Sequence, residues 1–101
     1  MIYGYARVSS AGQAIDGNSL EAQSELLKAN GAQKIFSDVY TGTKLHRPEL
    51  DKLMAEIQPG DTLIVTEISR LSRTLTDIMA IMGKCLAREI NLYTTKEGYS
   101  F

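Results

Sequence analysis

Short β-rich runs alternate with longer segments of helical period along this chain, and that alternation narrows its fold more than any other property. Tyr3-Gly4-Tyr5-Ala6-Arg7-Val8-Ser9-Ser10 opens the series almost at the start of the chain. Its β-branched and aromatic residues, uninterrupted by proline, read as a strand. Gln33 to Val39, around Ile35-Phe36, reads as a second strand ending near Asp38, and Thr62 to Ile68 as a third. Leu63-Ile64-Val65 is continuously apolar, as in a central strand covered on both faces. Asn91 to Thr95 reads as a fourth, with a polar end from Lys96 to Phe101.

Between these runs lie three helical segments. Asn18 or Ser19 can cap the first, with Glu21 at capping-box spacing from Asn18. It spans about Leu20 to Asn30, places Leu20, Gln23, Leu26 and Leu27 on related faces, and stops at Gly31. Pro48 suits the first turn of the second, where Leu50, Leu53, Met54 and Ile57 form an apolar stripe before the Gln58-Pro59-Gly60-Asp61 turn. Thr74 and Asp77 have capping spacing for the third, from about Leu75 to Arg88, with Leu75, Ile78, Met82, Cys85 and Leu86 expected inward. Strands alternating with helices of this length imply right-handed βαβ units. The expected fold is α/β, a three-layer sandwich around a mostly parallel sheet. At 101 residues the chain makes one domain, 1–101.

Strand alternation sets Tyr3, Tyr5, Arg7 and Ser9 on one face, with Arg7 and Ser9 about 7 Å apart. Both fall at the carboxyl end of the strand, where open α/β sheets bind ligands. Arg70-Leu71-Ser72-Arg73 follows the third strand and precedes a helix, so it reaches the same edge of the sheet. Arg7, Arg70 and Arg73 beside a helix amino terminus add up to an anion site, most simply for phosphate. Lys44, His46 and Arg47, in the threonine-rich loop from Tyr40 to His46 and just beyond it, can add to it. From these residues alone, the alternative is a set of separate surface arginines, each solvated or in a weak ion pair.

Eleven Lys and Arg against twelve Asp and Glu leave a net charge of −1. That excludes a strongly basic, non-specific nucleic-acid binder but leaves room for a local arginine cluster. The single Cys85 forms no internal disulfide and suits a reducing cytoplasm. The longest apolar runs are far too short to span a bilayer, so no membrane role is expected. No Gly-rich loop ends in Gly-Lys-Ser/Thr, which argues against a P-loop. One Cys and one His cannot build the usual zinc sites. A Ser-His-Asp triad would need His46, from a polar loop, beside Ser9.

Tyr5-Ala6-Arg7-Val8-Ser9-Ser10 with Gln13 resembles the amino-terminal signature of the serine recombinases, the resolvase and invertase family. The likeness continues through Leu20 and Gln23, Ile35-Phe36 and Asp38, Gly42 with Arg47-Pro48, Gly60-Asp61 and Arg70-Leu71-Ser72-Arg73. It thus covers essentially the whole chain. The resemblance implies the resolvase-like fold and a site-specific DNA recombinase. Ser9 matches the nucleophile, and Arg7, Arg47, Arg70 and Arg73 match active-site arginines. Gln13 matches a residue that helps position the site, and Gln13, Arg47 and Asp38 are the residues implied to hold substrate. The implied reaction is attack of serine on a DNA phosphodiester, through a 5′-phosphoserine, with neither metal nor cofactor.

The loop between Gln13 and Leu20 is longer than in resolvases, and Ser69 stands where many members carry aspartate before the first arginine of the turn. Glu67 is expected on the same strand face as Ser69, as a substitute. Family members continue into a dimerisation helix and a DNA-binding domain, so 1–101 is expected to be the catalytic domain alone. The implied partners are a double-stranded recombination site and further copies, a homodimer assembling to a tetramer. A non-catalytic α/β binding module that retained this fold is the alternative, with Ser69 as its mark.

Overall fold

The computed structural model describes residues 1–9, 20–40, 48–72 and 74–95. The elements run β1 (Ile2–Ser9), α1 (Leu20–Ala29), β2 (Lys34–Tyr40), α2 (Pro48–Glu56), β3 (Thr62–Val65), a 3₁₀ turn (Ile68–Arg70), α3 (Leu75–Ala87) and β4 (Asn91–Thr94). The strands form one sheet in the order β2-β1-β3-β4. Every pairing in it is parallel. Parallel neighbours need crossovers, and the helices between the strands supply them.

The crossovers divide the core in two. Tyr3, Tyr5, Phe36, Leu63, Val65 and Leu92 pack on one face of the sheet with Leu50, Leu53 and Ile57 of the α2 segment and Ile81 and Cys85 of α3. On the other face Ala6 and Ile64 meet Leu27 of α1. The result is the expected three-layer sandwich, α1 on one side of the sheet and α2 with α3 on the other. β1 leaves toward β2 on one side and pairs with β3 on the other, so the connections reverse direction between β1 and β3. In open α/β sheets that switch point, at the carboxyl ends of the strands, opens the crevice that binds ligands.

Local chemistry fixes the helix ends. Gly31 has φ +98. That left-handed conformation suits glycine and closes α1, with Gly31 N–H bonded to Lys28 O and Ala32 N–H to Leu27 O, each at 3.0 Å. At Gly4 an added Cβ would stand 3.2 Å from both Ala32 Cβ and Leu27 Cδ1, so glycine lets α1 approach the sheet closely. Thr74 caps α3, its Oγ1 accepting from Asp77 N–H at 3.3 Å. At the other end of α2, Arg88 donates to Met54 O at 2.7 Å and to Ile57 O at 2.9 Å. The guanidinium therefore satisfies late carbonyls of α2 and places positive charge at the negative end of its dipole.

Two expectations are corrected. β3 stops at Val65, not Ile68, because the chain turns: Arg70 N–H bonds to Glu67 O and Leu71 N–H to Ile68 O, each at 3.0 Å. That turn drives Leu71 into the core, where it is fully buried. On α3 the buried residues are Ile81 and Cys85, whereas Leu75 and Leu86 are 72% and 81% exposed. At about 100° per residue, Leu75 and Leu86 sit roughly 100° of arc from Ile81 and Cys85. The expected stripe had merged two adjacent faces, and the sheet covers only one. Leu26 of α1 is 43% exposed, while Leu27 is fully buried. The expected cap at Asn18 or Ser19 lies outside the described residues.

Asp61 ties the start of β1 to the turn after α2. Its Oδ2 accepts from Gln58 N–H at 2.9 Å and its Oδ1 from the terminal ammonium of Met1 at 3.0 Å. The Gln58 amide, then the ammonium, hold this carboxyl below the usual aspartate range. A group whose pKa is depressed by folding stabilises above its unfolded value, about 3.9, and loses that contribution as pH falls through the folded value. Urea unfolding from pH 7 to pH 2 should show stability falling in acid below about pH 4. Asp61→Asn should be less stable at pH 7 and fall less steeply in acid. An Asn variant with an unchanged acid limb would contradict this role.

Candidate active site

β1 and β2 stay paired as far as Ser9 and Tyr40, but β1 and β3 stay paired only as far as Tyr5 and Val65. Beyond Tyr5 the strand therefore lacks β3 along one edge, and its peptide groups need other partners. Gln23, 3% exposed on α1, supplies them. Its side-chain carbonyl accepts from Arg7 N–H and its amide donates to Arg7 O, both at 3.1 Å. One side chain thus reproduces what a neighbouring strand would offer. Arg70, from the turn after β3, donates from Nη1 to the same Arg7 carbonyl at 3.2 Å.

A second set of bonds holds the opposite edge. Arg7 and Asp38 are register partners on β1 and β2. Tyr5, two residues before Arg7 on the same face, donates its hydroxyl to Asp38 Oδ2 at 2.7 Å in a buried bond. Asp38 also accepts from the first turn of α2, Oδ1 from Glu49 N–H at 3.1 Å and Oδ2 from Leu50 N–H at 3.2 Å. Its charge sits at the positive end of the α2 dipole. Asp38 thereby joins β1, β2 and α2 at a single carboxylate.

Arg7 is only 4% exposed. The expectation of a guanidinium displayed beside Ser9 therefore needs refinement: Arg7 is embedded at the end of the sheet, while Arg70 remains 20% exposed. Arg70 Nη2 stands 4.0 Å from Glu67 Oε1. Its Nε is buried without a hydrogen-bond partner among the described residues. Ser9 closes β1, and its backbone sits at the carboxyl end of the strand, level with Tyr40. The structure thus brings Arg7, Arg70, Asp38 and the Ser9 backbone to one corner of the sheet, at the switch point. Gln13, Arg47 and Arg73 lie outside the described residues. Among the described residues, His, Cys, Asp and Glu form no group of three that could hold a metal ion.

Gln23 and Tyr5 were not expected to act at this corner. A glutamine on the apolar stripe of α1 was the visible signal for the first, since a buried amide must find partners. Tyr5 gave no such signal, because its bond to Asp38 depends on the β1–β2 register. Cys85 is buried on α3, and that burial pushes its thiol pKa up, with Arg88 opposing, so it is not an activated thiol.

The end of β1 with Ser9 and the arginine turn after β3 thus meet at the switch point of a doubly wound parallel sheet. Residues 2–101 match the family described as the resolvase N-terminal domain, and the chain belongs to that family. It is 37% identical over 99 residues to a resolvase of Clostridium perfringens, covering 96% of this chain and 50% of that protein. It is 36% identical over 97 residues to the transposon Tn552 resolvase of Staphylococcus aureus, covering 96% and 47%. The chain thus spans about half the length of these relatives. Among solved structures, the N-terminal catalytic domain of TP901-1 integrase superposes with TM-score 0.80 at 26% identity, over 98% of this chain and 80% of that one. A resolvase-family site-specific recombinase from Streptococcus pneumoniae gives 0.78 at 25% identity, over 98% and 74%.

The clamp on Arg7 is directly testable. Gln23→Ala should destabilise the fold by about 1–3 kcal/mol, the cost of stripping partners from buried polar groups. It should also speed hydrogen exchange at the Arg7 amide. Tyr5→Phe should cost about 1 kcal/mol and leave that amide protected. Urea unfolding and amide exchange by NMR measure both. Unchanged protection of Arg7 in Gln23→Ala would show that another group holds the strand.

Proposed function

We propose that this chain is the catalytic domain of a site-specific DNA recombinase, with Ser9 as the nucleophile. The observation that carries this reading is the Arg70 guanidinium on the Arg7 carbonyl, which ties the arginine turn to the strand that ends in Ser9. Membership of the resolvase N-terminal family and likeness to an integrase catalytic domain and to a site-specific recombinase support it.

In this reading Ser9 Oγ attacks a DNA phosphorus in line. The Oγ–P bond forms, the bond from phosphorus to the 3′ oxygen breaks, and a 5′-phosphoserine and a free 3′-hydroxyl result. The serine proton goes to a base, and the leaving oxygen takes up a proton. One phosphoester replaces another, so bond energy is conserved and the reverse attack by a 3′-hydroxyl rejoins DNA without ATP. Arg70 is part exposed and offers guanidinium donors to the phosphoryl oxygens as their charge redistributes. Arg73 and Arg47 belong to the same arginine set, and Gln13 helps to position the site. Arg7 and Asp38 act mainly by fixing the corner, since Arg7 is buried and Asp38 is committed to Tyr5 and α2. The duplex recombination site is the partner, and homodimers pair into a tetramer for strand exchange. The cytoplasm is the compartment that such a DNA-acting enzyme occupies. Among the described residues no helix is long and apolar enough to cross a membrane.

The whole protein, incubated with its recombination site, should form a DNA adduct on Ser9 in the presence of chelator. Ser9→Ala should abolish the adduct, and Ser10→Ala should retain it. Arg70→Ala should slow adduct formation by about 10²-fold or more, as removal of an oxyanion-stabilising donor does. Mass spectrometry of the DNA-linked peptide decides between these residues. An adduct on Ser10 or on a tyrosine would overturn the mechanism, and no adduct at all would favour the non-catalytic module.

A further inference from the structure

Beyond the arginines and the serine, we infer that Glu67 is a positioning residue for Arg70. The inference rests on the recombinase reading for its consequence but on the turn's geometry for its substance. In a 3₁₀ turn, side chains three residues apart eclipse one another. Ile68–Arg70 is such a turn, closed by the bond from Arg70 N–H to Glu67 O at 3.0 Å. Glu67 is the extended N-cap of this turn, and the closing bond brings its backbone beside that of Arg70, which puts the two side chains within reach of each other.

Side-chain geometry then completes a bridge. Arg70 Nη1 lies 3.2 Å from Arg7 O, and Nη2 lies 4.0 Å from Glu67 Oε1. One terminal nitrogen is hydrogen-bonded to β1, and the carboxylate stands at ion-pair distance from the other, so both contacts bias the guanidinium toward one orientation. The turn itself is anchored, because Leu71 is fully buried and Ile68 packs against the core. Of the five guanidinium N–H groups, one on Nη1 is taken by Arg7 O, and the part-exposed side chain keeps further terminal donors for a ligand. Glu67 and Arg70 are 21% and 20% exposed. A long, part-exposed pair of this kind adds little to stability. Its effect lies in orientation: an arginine already aimed at the strand end needs no reorganisation when a phosphate arrives.

Glu67→Gln tests the charge while keeping the shape. In the whole protein on its recombination site, it should slow formation of the Ser9 adduct by about tenfold, with DNA affinity and thermal midpoint unchanged. Glu67→Asp should recover part of the rate. Nitrogen-15 NMR of the 101-residue chain gives a readout that does not depend on activity. Rotation of the Arg70 guanidinium should be hindered in the wild type and freed in Glu67→Gln. Unchanged rotation in Glu67→Gln, or wild-type cleavage by it, would overturn the inference. Freed rotation in a protein that forms no adduct even as wild type would leave the positioning intact and refute the recombinase reading instead.

Discussion

β1 outruns β3. The two strands part after Tyr5 and Val65, yet β1 continues to Ser9 with β2 alone beside it. Exposed ladder groups on a buried strand must be paired or the strand frays. Gln23 takes both peptide groups of Arg7, and Arg70 adds a bond to the same carbonyl. The position of Ser9 thus depends on a glutamine from one helix layer and an arginine from the turn after β3. Remove them, and the strand end that carries the serine is fixed from one side only.

This arrangement also accounts for how the layers meet. Asp38 accepts from Tyr5 of β1 and from two amides that open α2, so one buried carboxylate sets strand, strand and helix together. Arg88 does the converse at the far end of α2, taking the carbonyls of Met54 and Ile57. The α2 helix therefore has a carboxylate at its positive end and a guanidinium at its negative end, as its dipole favours. The candidate site and the rest of the fold share Asp38 and Tyr5. Substitutions there are expected to trade stability against chemistry rather than affect one alone.

Much of this was legible in the sequence, for identifiable reasons. The β-rich runs and the period of the helices determined the layers, and Pro48 and Gly31 marked helix boundaries to within a residue. Strand alternation placed Arg7 with Tyr3 and Tyr5, and the Arg-Leu-Ser-Arg turn after an apolar strand pointed to the same edge. What escaped depended on pairing. The early end of β3 followed from turn bonds around Glu67 and Ile68, and the Tyr5–Asp38 bond from register. The inner face of α3 was misassigned because its sequence is apolar nearly all round, and only packing decides which side the sheet covers. Arg7 looked like a displayed cation, and the extent of its burial emerges only when the layers close over it.

The central claim is that the end of β1, held by Gln23 and Arg70, presents Ser9 to a phosphate at the switch point between β1 and β3. A crystal structure of the whole protein trapped on a nicked recombination half-site would test it most directly. The account predicts the 5′-phosphate bonded to Ser9 Oγ, an Arg70 nitrogen within about 3 Å of a phosphoryl oxygen, and Gln23 still bonded to Arg7. A phosphate carried elsewhere, or Arg70 turned away from it toward the opposite end of the sheet, would contradict it.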